Sequence, residues 1–180
     1  MAEVLLRHRL AGLGVDARVS SAGLLDDGMA PTPDALAVMA ALGHDTSGHR
    51  SRHMTAEALS ADLLLGLARR HVREMVTLSP SAWPRAFTLK EFVRRAGAVG
   101  PRAAGQPFGE WVAAVHGGRS RADLLRSSSE DDVADPIGKP RAFYERNAAE
   151  ISGLVDELVE LGWASEAAQA TGSGTAGAAS

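Results

Sequence analysis

An apolar run of strand length, Ala61 to Ala68 (ADLLLGLA), is the feature that most constrains the fold. It is rich in leucine and carries a single charge, at Asp62, which is typical of a strand buried on both faces of a parallel sheet. Neighbouring parallel strands need long crossover connections, and these are usually helices. We therefore expect helices on both sides of this strand in the chain.

Helical and strand patterns alternate along the rest of the sequence. Apolar alternation followed by Ala22-Gly23 predicts a strand at Val15 to Ser21, and Ala86 to Leu89 is a further candidate strand. Helical spacing or capping signals predict helices at 1–14, 33–42, 56–60, 70–76, 90–97, 108–116 and 140–161. This order favours an α/β fold with three layers, an open parallel sheet flanked by helices.

The length of 180 residues suits one domain, which we place at residues 1–163. The remaining segment, 164–180, has few bulky apolar residues and is expected to be a disordered, low-complexity tail. No apolar stretch approaches the roughly 20 residues that a bilayer crossing needs. Arg7, His8 and Arg9 interrupt the place where a signal peptide would be apolar, so we expect a cytoplasmic protein.

The composition excludes several kinds of chemistry. The 180 residues contain no cysteine, which removes disulfides, thiolate metal sites and thiol nucleophiles. A formal net charge of −3, with acidic and basic residues spread along the chain, argues against nucleic-acid or anionic-membrane partners. Glycine-rich phosphate-binding motifs and G-x-S-x-G are absent, and we expect no cofactor.

Asp135-Pro136, in the segment DVADPIG, is the best candidate for chemistry. Proline fixes the local backbone, so the carboxyl group is presented at a defined angle, as a general acid requires. The same dipeptide is a common turn starter, and the residues alone favour the turn.

The polar segment His44 to Thr55 has no periodicity and is expected to be a loop. Its histidines, His44, His49 and His53, could hold a metal only if the segment were helical, so we expect no metal site. Arg50 and Arg52 could bind an anion or simply be solvated. Ser21 could point into a site from the end of a strand, or only end that strand.

Six segments in order carry a resemblance to a known family: MAEVLLRHRL, VSSAG, the 33–43 helix with GHDTSGHRSRHM, ADLLLGLARRH, FTLKEF and DVADPIGKPRAFYERNAAEISGLVDELV. Together they resemble a low molecular weight protein tyrosine phosphatase of the bacterial type, over residues 1 to about 161. The resemblance implies a four-stranded parallel sheet and a C-x5-R phosphate loop between the first strand and first helix.

In that family a cysteine thiolate attacks phosphorus, an aspartate protonates the leaving oxygen, and water hydrolyses the cysteinyl phosphate. The resemblance implies that Asp135 is the general acid. Ser21 and His49 match residues that brace the phosphate loop, and Arg52 lies in the same bracing segment. The substrates implied are a phosphotyrosine protein or a small aryl phosphate.

The chain departs from the family at its beginning. Met1-Ala2-Glu3 matches the residues that directly follow the phosphate loop, so the first strand and the loop are missing. We therefore expect no phosphatase activity from these 180 residues. A mis-assigned start is the leading explanation, and a real truncation is the second.

One other function is open to such a chain, and the composition argues against another. A non-catalytic pseudophosphatase would use the surface around His49, Arg52 and Asp135 to hold a protein partner. Arsenate reduction on a similar fold requires several redox cysteines, which these residues do not supply.

Overall fold

The computed structural model describes residues 1–125 and 129–172. The helices are α1 (Ala2–Gly12), α2 (Pro33–Ala41), α3 (Arg69–Leu78), α4 (Leu89–Val99), α5 (Phe108–His116) and α6 (Arg141–Gly172). Short 3-10 helices occupy Glu57–Ser60, Pro80–Arg85 and Arg121–Leu125. The strands β1 (Leu64–Gly66) and β2 (Ala86–Thr88) pair in parallel, with Leu64 opposite Ala86 and Gly66 opposite Thr88.

The sheet lies between two groups of helices, which confirms the predicted α/β fold. On one face, Phe87 of β2 belongs to the core cluster that α1, α4, α5 and α6 share. On the other face, Leu64 and Ala86 pack with Val72 and Met75 of α3. Successive residues of a strand point to opposite faces, so these two short strands serve both layers of the core.

Local sequence signals explain where several elements begin. Thr32 caps α2, accepting a hydrogen bond from the Ala35 amide at 3.3 Å, and Pro33 follows at the first helical position. Thr88 ends β2 and caps α4 in the same way, through the Glu91 amide at 3.1 Å. At Gly66 an added Cβ would lie 2.9 Å from the Cβ of His71, so glycine allows α3 to follow β1 closely.

The prediction of a strand at Val15 to Ser21 is wrong. Within the described ranges the sheet has two strands, and the nearest pairing to this segment is one isolated parallel bridge between Gly23 and His53. Val15 and Val19 are half-buried against the core. The apolar alternation therefore reports a segment with one buried face, whereas a strand also needs a neighbour for its backbone hydrogen bonds.

Helix α6 continues beyond residue 163, where the predicted tail begins. Its backbone leaves helical geometry at Trp163, with φ −136° and ψ 20°, and the Trp163 ring stacks on Phe108. Residues 164–172 of the expected disordered tail belong to this helix, and their many alanines favour that conformation. Residues 173–180 lie outside the described residues, and a domain boundary at 163 stays a prediction.

In the ranges 1–125 and 129–172, none of the helices combines the length and the apolar character that a membrane crossing requires.

Candidate active site

The segment 131–136, called here the acid loop, lies against the carboxyl end of β1. The Val133 amide donates a 2.7 Å hydrogen bond to the carbonyl of Leu67, just after the strand, and the Val133 side chain is buried. Ligands of open parallel sheets bind outside the carboxyl ends of the strands. The loop therefore carries Asp135 to the edge of the sheet where chemistry is expected.

Three further hydrogen bonds tie the loop backbone and Asp132 to three helices. The Arg69 amide at the start of α3 donates to Oδ1 of Asp132 at 2.7 Å. Lys90 of α4 donates through Nζ to the Asp132 carbonyl at 2.9 Å. Asn147 of α6, a buried residue, donates through Nδ2 to the carbonyl of Ala134 at 2.7 Å.

Asp131 adds an ion pair at the beginning of the loop. Its Oδ2 lies 3.0 Å from Nη2 of Arg69, and the two side chains are only 14% and 10% exposed. The exposed Arg94 reaches the same carboxylate at 3.1 Å. Asp131 and Asp132 end the polar segment 127–132, to which the sequence assigns no role. Residues 127 and 128 of that segment lie outside the described residues.

Asp135 forms the turn that its sequence context allowed, and its carboxylate is half exposed. Its Oδ1 accepts a 3.0 Å hydrogen bond from the Ile137 amide, which is the turn expected of Asp-Pro. Its Oδ2 lies 3.2 Å from Nη2 of Arg70, in a pair whose side chains are 50% and 61% exposed. The carboxylate is thus accessible to solvent while the loop beneath it is held in place.

Glu3, in the first turn of α1, contacts Ser21, Arg7 and His49, and these four residues are called here the Glu3 cluster. The Ser21 hydroxyl donates to Oε2 of Glu3, Arg7 pairs with Oε1, and Nδ1 of His49 lies 4.0 Å from Oε2. Burial by itself would raise the pKa of Glu3, but the Ser21 hydrogen bond and the charge of Arg7 outweigh it and lower that pKa. The structure therefore brings Ser21 and His49 together through a carboxylate that the sequence did not single out.

A cavity of about 640 Å³ opens beside the Glu3 cluster, between the start of α1 and the segments 18–20 and 45–52. Arginines predominate among the charged side chains of its lining, where Arg7, Arg18, Arg50 and Arg52 stand against Glu3 and Asp45, and His49 lines it as well. The loop at 44–55 that supplies most of these side chains is non-helical, as predicted. Arg52 lines the same cavity as His49, but Asp135 does not line it.

Other residues that shape these two regions carry only weak sequence signals. Glu3 reads as an ordinary acidic residue in the first turn of a helix. Asn147 interrupts the apolar face of α6 between Tyr144 and Ala148, and a buried amide on such a face is expected to have a specific hydrogen-bond partner. That interruption was the one available signal for its role.

A match to a family of known proteins identifies the class of protein. The family described as low molecular weight phosphotyrosine protein phosphatase matches residues 1–100, and the chain belongs to this family. Membership of this family implies phosphoproteins or phosphate esters as the class of substrate.

Solved structures agree with this assignment. A low molecular weight protein tyrosine phosphatase from T. tengcongensis is 30% identical, with 88% of this chain and 87% of that chain covered and a TM-score of 0.64. The YwlE arginine phosphatase from Geobacillus stearothermophilus, at 24% identity, covers 88% and 80% of the two chains with a TM-score of 0.62 and shows the same fold. The tyrosine phosphatase Wzb from Escherichia coli K30, at 16% identity, has 88% and 85% coverage and a TM-score of 0.62. A search of curated proteins found no match.

Proposed function

We propose that this chain supplies the general acid and the side chains that support the phosphate loop of a phosphomonoester hydrolase. Asp135 is the acid: it donates its proton to the oxygen that leaves as the phosphorus–oxygen bond breaks. The observation that carries this role is the exposed Asp135 carboxylate on a loop bonded to the end of β1. A general acid must be held within hydrogen-bond reach of its substrate, and such a loop provides a fixed backbone beneath a free carboxyl group.

Ser21, His49 and Arg52 support the phosphate loop in this proposal. Ser21 and His49 both approach Glu3, and Arg52 lines the same basic cavity as His49. Hydroxyl, imidazole and guanidinium groups can donate hydrogen bonds to backbone carbonyls of a loop and stabilise the anion that it holds. The mixture of donors and positive charge around the cavity supports this role.

The nucleophile is a separate matter, because the 180 residues contain no cysteine. The family mechanism needs a thiolate to attack phosphorus. A general acid only assists departure of the leaving oxygen, and that departure requires the attack of the thiolate. We expect the 180-residue polypeptide to be inactive towards aryl phosphates.

A chimera tests both statements. The first strand and C-x5-R loop of the T. tengcongensis relative would be joined ahead of Met1, and hydrolysis of p-nitrophenyl phosphate measured for the chimera, for its Cys→Ser variant and for the 180-residue chain. We expect turnover from the chimera alone. Activity in the 180-residue chain would refute the proposal, and a folded but inactive chimera would favour the non-catalytic pseudophosphatase.

The role of Asp135 is tested in the same chimera. Asp135→Asn removes the transferable proton while keeping the shape of the side chain, so we expect kcat to fall by roughly 10²-fold to 10⁴-fold for substrates with poor leaving groups. Asp62→Asn, at an exposed carboxylate before β1, is the matched control. Unchanged turnover in Asp135→Asn would remove Asp135 from the mechanism.

The substrate proposed is a phosphotyrosine protein or a small aryl phosphate in the cytoplasm. Since one structural relative is an arginine phosphatase, a phosphoarginine peptide belongs in the substrate panel beside a phosphotyrosine peptide. Preferential hydrolysis of the phosphoarginine peptide would replace the aryl phosphate assignment.

A further inference from the structure

Four successive residues before Asp135 are each held by a different contact. Asp131 pairs with Arg69, and the carboxylate of Asp132 accepts from the Arg69 amide. The Val133 amide donates to the carbonyl of Leu67, and the Ala134 carbonyl accepts from Asn147. The restraint weakens there, because among the described residues the Asp135 carboxylate is held by a local turn contact and by an exposed pair with Arg70.

We propose that Asn147 and Asp132 are positioning residues, which hold the acid loop so that Asp135 meets the leaving oxygen of the substrate. This inference rests on the proposed function of Asp135. Neither residue touches substrate; each acts through the backbone that carries the acid. It also gives a role to Asp132, the last residue of the polar segment 127–132.

The placement of Asn147 is the stronger of the two arguments. The side chain is 4% exposed and lies on a helix face whose neighbours Tyr144, Ala148 and Ile151 are buried. A buried amide is unfavourable unless it is hydrogen-bonded. Packing alone would be satisfied by an apolar side chain, so the amide indicates a specific hydrogen bond. Its 2.7 Å bond goes to Ala134, the residue directly before Asp135.

Asp132 docks the loop on the start of α3 and on α4. Its carboxylate accepts from the first amide of α3, where the helix dipole favours a negative charge, and its carbonyl accepts from Lys90. These bonds join Asp132 to α3 and α4, and Asn147 joins the nearby Ala134 to α6, so the two residues restrain different parts of one short segment. A small displacement of a catalytic group is enough to reduce the rate strongly.

The first test uses the 180-residue chain, with amide hydrogen exchange measured by NMR. Asn147→Leu removes the donor, and Asp132→Ala removes the acceptor; we expect faster exchange at Val133 in both variants. Asp132→Asn keeps an acceptor oxygen and should restore slow exchange, and Ser152→Ala on α6 is the control. Unchanged exchange at Val133 in Asn147→Leu and Asp132→Ala would overturn the inference.

The second test separates positioning from folding, in the active chimera. Values of kcat/KM are compared for phenyl phosphate, which needs a proton on its leaving oxygen, and for 2,4-dinitrophenyl phosphate, which does not. We expect Asn147→Leu and Asp132→Ala to lower kcat/KM for phenyl phosphate on the order of 10-fold to 100-fold, with a change below about twofold for the activated ester. Asp132→Asn should recover most of the loss.

The outcomes distinguish the two levels of the proposal. An inactive parent chimera means that the proposed function fails, and the positioning role fails with it. If the parent chimera is active, a variant that lowers kcat/KM equally for both substrates, or for neither, contradicts the positioning role alone.

Discussion

The acid loop and the Glu3 cluster are the two halves of the candidate site, and they are built differently. The acid loop is joined to the end of β1 and to α3, α4 and α6 by hydrogen bonds to backbone groups and to the side chains of Lys90 and Asn147. The Glu3 cluster meets at one carboxylate, and its Ser21 and Arg7 are exposed beside an open, basic cavity.

The two regions are therefore held together in different ways. In the acid loop, bonds from different helices each restrain a different residue, whereas the residues of the Glu3 cluster meet at a single carboxylate. The backbone of the acid loop is therefore held on several sides, whereas the Glu3 cluster lies beside an open cavity. Variants in the two regions should therefore change the free energy of unfolding by different amounts and with a different dependence on pH.

Asp131→Ala should have the largest effect, because it leaves Arg69 buried without its ion-pair partner. Removing one partner of a buried pair leaves the other charge, here the Arg69 guanidinium, poorly solvated and unpaired with Asp131. We therefore expect a loss of about 3 kcal/mol in the free energy of unfolding. Urea denaturation at pH 7 measures it, with Asp62→Ala as the exposed control. Equal midpoints for the two variants would mean that the ion pair does not hold the acid side.

Glu3→Gln should have a smaller effect that depends on pH. The pKa of Glu3 is lowered in the folded protein from its ordinary value of 4.5, so folding favours the carboxylate. The resulting stability is complete above that ordinary value and is lost as the pH falls through the lower folded pKa. We expect a loss of about 1 kcal/mol at pH 7 that shrinks as the pH falls below 4.5.

Urea denaturation at a series of pH values checks this expectation, and Glu57→Gln, at an exposed glutamate, is the control. A difference between Glu3→Gln and the parent that stays constant down to low pH would contradict it. In that case the carboxylate would contribute through packing rather than charge, and the Glu3 cluster would resemble the acid loop more closely.

The sequence predicted the helices and the two paired strands well, because periodicity and capping are local. Thr32 before Pro33 and the apolar Leu64 are readable without knowledge of their partners. Val15 to Ser21 was misread because alternation reports burial of a face and cannot report whether a neighbouring strand is present.

The candidate site was predictable only in part. Asp135 was found from its proline and the family resemblance, and its role stays a prediction. Glu3 and Asn147 act through contacts with residues far away in the chain, Ser21 and Ala134, which local patterns do not encode. Such long-range pairings depend on the packing of α1 and α6.

Arg70→Gln should have the smallest effect and marks where the restraint of the acid loop ends. The Arg70–Asp135 pair is 3.2 Å long, but both side chains are at least half exposed. Exposed pairs are screened by water and salt, so we expect the free energy of unfolding to change by less than about 0.5 kcal/mol, and by still less in high salt. Urea denaturation at low and high salt, beside Asp131→Ala, gives the comparison. A loss as large as that of Asp131→Ala would place Asp135 within the restrained segment, and its carboxylate would then lack the freedom that proton donation to a substrate requires.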